Sequence, residues 1–92
     1  MTHLKSRPDL TARVRRIGGQ LAAVGRAFEA EEDCAGVLQQ VAAVRGAVDG
    51  LLEAVLEAHL QQHVAANGLS EAERARGADE VMGAIRRYGK QT

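Results

Sequence analysis

The middle of the chain carries an uninterrupted helical pattern, and this pattern restricts the fold more than any other feature. Between about residues 33 and 65 there is no proline, and apolar side chains recur at steps of three and four. This spacing predicts a helix of about thirty residues, which is long for a chain of 92 residues. Since a chain of this length buries little surface on its own, we expect it to self-associate. The residues of the pattern are Cys34, Val37, Leu38, Val41, Val44, Val48, Leu51, Leu52, Val55 and Leu56.

A shorter helix is predicted before the long one, over about residues 9–29. Its apolar residues alternate at steps of four and three, which is typical of a seam along one face of a helix. Asp9 directly follows Pro8 and is expected to cap this helix, while residues 1–8 are expected to form a mobile arm. The seam consists of Leu10, Val14, Ile17, Leu21, Val24 and Phe28.

A third helix is predicted over about residues 70–88. It follows the break AANGLS, in which Gly68 is a stop signal, and Ser70 and Glu73 have the spacing of a capping box. With this helix the whole chain forms a single domain, residues 1–92. The side chains expected to face inward are Ala78, Val81, Met82 and Ile85.

The composition favours an all-α protein. Phe28 and Tyr88 are the only aromatic residues apart from histidine, Pro8 is the only proline, and leucine, valine and alanine supply most of the apolar side chains. A single cysteine, Cys34, rules out an internal disulfide. No segment approaches the roughly 20 apolar residues of a membrane span, and the first residues lack the apolar core of a signal peptide. We therefore expect a cytoplasmic protein without a membrane partner, in which Cys34 stays reduced.

Two histidines stand four residues apart near the end of the long helix, in the segment EAVLEAHLQQHV. Because residues at i and i+4 lie one above the other, the His59 and His63 imidazoles can approach the same ion. Cys34 lies on the same face but 25 positions earlier than His59, or about 37 Å along a straight helix. Two copies of the helix in antiparallel orientation would bring Cys34 of one subunit level with both histidines of the other. The two-fold axis of such a dimer would pass near residues 47–48, and the dimer would have two equivalent sites.

A thiolate and two imidazoles predict a soft or borderline metal ion, such as Ni(II), Co(II), Cu(I) or Zn(II). His3, on the arm, is a candidate fourth ligand. Other interpretations remain open, because a lone cysteine on an apolar face is often a small buried hydrophobe and a histidine pair at a helix end is often a surface feature.

The net charge of zero hides an excess of basic residues at the start of the chain. Residues 1–28 contain six lysines and arginines against Asp9 alone, which makes this end a candidate surface for an anionic partner, although a solvated helix face is the alternative. Arg13, Arg16 and Gln20 lie on one flank of the first helix. Arg45 sits in the apolar stripe of the long helix, where a charge is unfavourable unless it is paired or reaches solvent. The six basic residues are Lys5, Arg7, Arg13, Arg15, Arg16 and Arg26.

The strings RVRRIGGQL, then Cys34, then VLQQVAAVRGAVDGLLEAVLEAHLQQHV closely resemble the CsoR/RcnR family of bacterial transcriptional repressors. This resemblance covers about residues 3–88. It implies a three-helix subunit, an antiparallel dimer, and a disc-like tetramer built as a dimer of dimers. It also implies binding to operator DNA without a helix-turn-helix motif, and release when an inducer occupies the site near the cysteine. By this resemblance, the residues at DNA-binding positions are Arg13, Arg16 and Arg45. Gln20, Lys5 and Arg7 are weaker matches to such positions.

By the same resemblance, four positions indicate the inducer. The set His3, Cys34, His59 and His63 is similar to that of nickel and cobalt sensors of the RcnR and DmeR type. Relatives with Cys, His and Cys sense copper, and Cys, His, His variants also bind Cu(I). Persulfide sensors need a second cysteine. In formaldehyde sensors of the FrmR type, an N-terminal amine before proline and the cysteine thiolate are bridged by one carbon; here the amine would be that of Thr2, and His63 replaces an acidic residue.

The sequence therefore predicts a repressor that responds to Ni(II) or Co(II) and controls an efflux or detoxification gene. A formaldehyde-responsive or Cu(I)-responsive repressor is the alternative within the family, and Zn(II) is a further possible ligand. We expect no enzyme activity and no organic cofactor, because no acid/base pair accompanies the site. A metal-storage or carrier protein is the alternative from a different class, but it would leave the basic first helix unexplained.

Overall fold

The computed structural model describes residues 7–88, which form three α-helices and contain no strand. Helix α1 comprises Pro8–Glu29, α2 comprises Cys34–His63 and α3 comprises Glu71–Tyr88. The prediction of a three-helix, all-α chain is confirmed. None of the three described helices combines the length and the apolar character needed to cross a membrane.

The chain divides into two units after Ala54, within α2. In the first unit, α1 and the part of α2 up to Ala54 form an antiparallel helical hairpin. The Arg13 guanidinium on α1 donates a hydrogen bond of 2.9 Å from Nη1 to the Gly50 carbonyl oxygen on α2. The buried side chains of α1 are Leu10, Val24 and Ala27.

In the second unit, the last turns of α2 pack against α3. Ala58 of α2 is fully buried, and Gly77 and Val81 are the buried residues of α3. Because α3 is buried at Gly77 and Val81, four residues apart, one stripe of this helix faces the end of α2.

The start of α1 differs from the prediction. Asp9 is not the cap: the N-cap residue is Arg7, which makes no capping side-chain hydrogen bond, and Pro8 occupies the first helical turn. Proline begins a helix readily because its φ is preset and its missing N–H has no helical partner to lose. Asp9 instead accepts hydrogen bonds from Arg7 Nε and Nη2, at 3.1 and 3.0 Å, and these bonds lower the pKa of Asp9.

Helix α1 ends in a Schellman motif, formed without a glycine. The Glu32 N–H donates to the Ala27 carbonyl and the Glu31 N–H to the Phe28 carbonyl, at 3.0 and 3.2 Å. Glu31 takes the left-handed conformation that this motif requires, with φ of 54°. A glycine is the usual residue at this position, because a side chain makes that conformation unfavourable.

The predicted capping box of α3 is confirmed. The Ser70 N–H donates to Glu73 Oε1 at 2.8 Å, and the Glu73 N–H donates to Ser70 Oγ at 3.0 Å. The Glu73 carboxylate accepts from the Ser70 N–H and interacts with the Ser70 side chain, and these hydrogen bonds, the first being the larger cause, lower the pKa of Glu73. Since the folded pKa is depressed, this contribution to stability is present above the ordinary glutamate pKa and is lost as the pH falls through the folded value.

Much of the apolar surface remains uncovered within the described residues. The predicted seam of α1 is only partly covered. Leu10 and Val24 are buried and Ile17 is half-buried, whereas the other three residues of the seam form an exposed stripe. Met82 and Ile85 of α3 are also exposed, so the prediction that they face inward is wrong: within residues 7–88 nothing covers that side of α3. Such a surface is typical of a protein that associates with other chains. The exposed stripe of α1 is Val14, Leu21 and Phe28, at 52%, 59% and 67% exposure.

Replacing Glu31 with glycine is expected to stabilise the fold by about 0.5–1 kcal/mol, because the left-handed conformation is less unfavourable for glycine even after its greater entropy in the unfolded state. Urea denaturation followed by circular dichroism, at one fixed protein concentration, measures this difference. The control is Glu32→Gly, at the adjacent residue, where φ is not positive. Equal destabilisation by both substitutions would contradict the prediction.

Candidate functional site

The two histidines predicted to share an ion lie side by side at the end of α2. The ring centroids of His59 and His63 are 4.5 Å apart, and their planes are tilted by 34°. Both residues are half-buried. The helix therefore brings two nitrogen donors together and leaves them accessible from one side.

Glu80 of α3 holds the His59 ring. Its Oε1 lies 2.8 Å from His59 Nε2. A carboxylate at this nitrogen favours the tautomer with the proton on Nε2, so the lone pair of Nδ1 is directed elsewhere. Carboxylates commonly orient metal-binding histidines in this way, and they also raise the basicity of the coordinating nitrogen.

The other predicted ligands are not gathered beside the histidines in the described residues. Cys34 is the first residue of α2 and is exposed, with no disulfide. His3 lies outside the described residues. Within residues 7–88, no three histidine, cysteine, aspartate or glutamate side chains are placed to hold a metal ion. The donor chemistry suits a soft or borderline metal ion, but the histidine pair needs ligands from beyond its own surroundings.

The predicted DNA-binding residues of α1 line one groove. Arg13, Arg16 and Gln20 form one wall, and Ala47 and Gly50 of α2 lie opposite. Arg13 is half-buried and bonded to the Gly50 carbonyl oxygen, so it also joins the two helices. The groove places two guanidinium groups and an amide side by side, which is a suitable arrangement for phosphate oxygens.

The remaining predicted DNA-binding residues lie apart from this groove or outside the described residues. Arg45 of α2 is exposed, in the stripe that includes the exposed residues Val41 and Val48. Arg7 forms an ion pair with Asp9 at 3.0 Å. Lys5 and Thr2 lie outside the described residues.

Three residues of α3 that contact the histidine end of α2 were missed in the sequence. They are Arg74, Gly77 and Glu80. Gly77 carried a usable signal, since a glycine in the middle of an amphipathic helix often marks a close contact. Nothing local distinguishes Glu80 from the neighbouring Asp79, because its role depends on the packing of α3 against α2.

Comparisons with known proteins agree on one family. The family model described as "Metal-sensitive transcriptional repressor" matches residues 6–87. The transcriptional repressor RcnR of Salmonella arizonae is 37% identical over 91 residues, covering 98% of this chain and all of the relative. An uncharacterised protein in the bioA 5′ region of Serratia marcescens is 46% identical over 89 residues, covering 97% of each chain.

A solved structure is similar throughout its length. It is a histidine-for-glutamate variant of the formaldehyde-responsive regulator FrmR from Salmonella enterica serovar Typhimurium. The TM-score is 0.84 and the sequences are 39% identical, over 91% of this chain and 94% of that one. This likeness supports the all-α fold.

The chain belongs to the CsoR/RcnR family of metal-sensitive transcriptional repressors. Members of such a family act by binding operator DNA and associate with further copies of themselves, and they are repressors rather than enzymes. Membership also implies a metal effector, without specifying which metal.

Replacing Glu80 with glutamine is expected to weaken metal binding roughly tenfold, since residues that orient a ligand typically contribute tenfold to a hundredfold in affinity. Titration with Co(II), followed by its absorption spectrum and by competition with a chelator, measures the change. The matched control is Asp79→Asn, which removes the same charge from the adjacent residue. Wild-type affinity in Glu80→Gln would show that the bond to His59 does not contribute.

Proposed function

We propose that this protein is a DNA-binding repressor that responds to Ni(II) or Co(II). The effector site is shared between subunits: Cys34 comes from one, and His59 and His63 from the other. His3 supplies a fourth ligand. The observation that carries the proposal is the pair of adjacent imidazoles at the end of α2, one of them bonded to Glu80.

The exposed face of α2 supports the shared site. Cys34, Leu38, Val41, Arg45 and Val48 follow one another at steps of four and three, and all five are exposed. A second copy of α2 in antiparallel orientation would cover the apolar residues of this stripe and bring each Cys34 to the other subunit's histidines, while the long Arg45 side chain would reach out of the interface to solvent. Two such dimers then associate into a disc-like tetramer, which would cover further apolar surface on α1 and α3.

The ligand chemistry supports nickel or cobalt. Imidazole and thiolate ligands suit both ions, and a metal bound here would link residues of two subunits. Affinity alone would favour copper over Ni(II) and Co(II), so selectivity must come from the number and arrangement of ligands. His3 and the nearby backbone would provide additional donor atoms for ions that prefer five or six ligands.

The basic groove supports operator binding. Arg13, Arg16 and Arg45 contact phosphates, with Gln20, Lys5 and Arg7 as further contacts. Effector binding lowers the affinity for DNA only if the metal prefers the conformation that binds DNA poorly, with a coupling free energy of typically 1–3 kcal/mol. The repressor acts in the cytoplasm, and its release permits expression of an efflux gene.

A formaldehyde-responsive repressor is a second candidate, because the similar solved structure is a variant of a formaldehyde-responsive regulator. Cys34 is exposed and forms no disulfide within the described residues, and this chemistry also requires an accessible thiol. The second reacting group would be the amine of Thr2. A Cu(I)-responsive repressor would use Cys34, His59 and His63 without His3.

Release from DNA distinguishes these effectors. A fragment of the protein's own promoter should be released by Ni(II) or Co(II), and His3→Ala should remove this response while preserving any response to Cu(I). Cys34→Ala should abolish both. Fluorescence anisotropy with Ni(II), Co(II), Cu(I), Zn(II) and formaldehyde in parallel makes the measurement. Release by formaldehyde alone would overturn the metal assignment.

Two arginines of α1 test the DNA-binding surface. Arg16 lines the groove and makes no hydrogen bond or ion pair with the described part of the chain. Arg16→Ala should therefore weaken promoter binding and reduce the slope of log affinity against log salt by about one for each subunit whose Arg16 contacts a phosphate. Arg15→Ala removes the same charge from the adjacent residue and should leave the slope near that of the wild type. An equal loss in both variants would indicate a general effect of charge.

A further inference from the structure

Three residues on one stripe of α3 contact successive points at the end of α2. Glu80 bonds the His59 ring, Gly77 lies against His63, and Arg74 binds carbonyl oxygens that follow the helix. Their spacing of three residues places them on neighbouring turns of the same face. This face of α3 therefore contacts both proposed histidine ligands, through a side chain at His59 and through the backbone at His63.

Gly77 brings α3 unusually close to α2. A Cβ atom built on Gly77 would lie 2.8 Å from the His63 carbonyl carbon and 2.9 Å from the His63 Cβ, and closer still to the carbonyl oxygen. Real Cβ atoms essentially never make such contacts, so even alanine would force the two helices apart at His63. Glycine is unfavourable inside a helix, and here the close approach explains its presence.

Arg74 holds the chain immediately after His63. Its guanidinium donates to the Val64 carbonyl oxygen through Nη1, with longer contacts of 3.5 Å to the carbonyls of Ala66 and Leu69. Carbonyl groups at the end of a helix lack helical partners, and a charged donor binds them strongly. The half-buried Arg74 side chain thus fixes the path of the backbone beyond α2.

We propose that Gly77 and Arg74 are positioning residues for His63. They fix its backbone from two sides, while Glu80 orients the ring of His59, so that α3 sets the angle between the two imidazoles. A displacement of His63 by about 1 Å is enough to spoil the geometry of a metal site. The effect on metal binding rests on the proposed function, whereas the placement of His63 does not.

A pair of glycine substitutions tests this role. Gly77→Ala should shift the NMR signals of the His63 ring in the metal-free, full-length protein and should lower the Co(II) affinity about tenfold or more. Gly83→Ala is the matched control on the same helix, because an added Cβ there meets no atom within 4 Å. It should leave both the His63 signals and the Co(II) affinity unchanged.

A double-mutant cycle separates positioning from a general loss of stability. If Gly77 acts through His63, Gly77→Ala should cause little further loss of Co(II) affinity in a His63→Ala background. A full additional loss there would overturn the proposal. If Gly77→Ala does not fold, Arg74→Met replaces it in these measurements. Arg74→Met should then shift the His63 signals and lower the Co(II) affinity, whereas Arg76→Met, on the exposed face of α3, should change neither.

The two measurements separate this inference from the proposed function. Shifted His63 signals in a protein whose wild type binds neither Co(II) nor Ni(II) would support the positioning role and reject the proposed Ni(II) or Co(II) sensor. Unchanged His63 signals and unchanged Co(II) affinity in both Gly77→Ala and Arg74→Met would reject the positioning role, even if the wild type senses metal.

Discussion

The length of α2 is the constraint on which the rest of the molecule depends. A helix of 30 residues is accompanied by helices of only 22 and 18, and within the described residues no large side chain is fully buried. Leu38, Val41 and Val48 remain exposed along α2. Such a chain must obtain part of its core from other copies of itself, so an effector site shared between subunits would form only when the fold is completed by association.

The same helix connects the two proposed functions. It carries the proposed ligands Cys34, His59 and His63, and its Gly50 carbonyl binds the Arg13 guanidinium of the basic groove. In our proposal, any change in the way two α2 helices meet therefore alters the surroundings of both the effector and the DNA. This arrangement needs no separate pathway between the two proposed sites, because α2 carries residues of each of them.

The sequence predicted what depends on local interactions. The periodicity was enough for three helices, and the Ser70–Glu73 capping box follows from residues that are neighbours in the chain. The prediction failed where burial depends on the packing between helices. Met82 and Ile85 belong to an apolar pattern, but the pattern does not tell which chain covers them. At Asp9 two local signals competed, and proline at the first position prevailed. The roles of individual residues in binding DNA and metal stay predictions.

In our proposal, the surroundings of the histidine pair are a reason to prefer a metal over formaldehyde as the effector. A one-carbon bridge between an amine and the thiol of Cys34 would require neither imidazole. Yet this chain orients the His59 ring with Glu80 and packs α3 against the His63 backbone through a glycine that is unfavourable in a helix. If α3 positions both donors as we propose, the site could select an ion by its geometry, and in this way it could prefer Ni(II) or Co(II) over ions that bind more tightly.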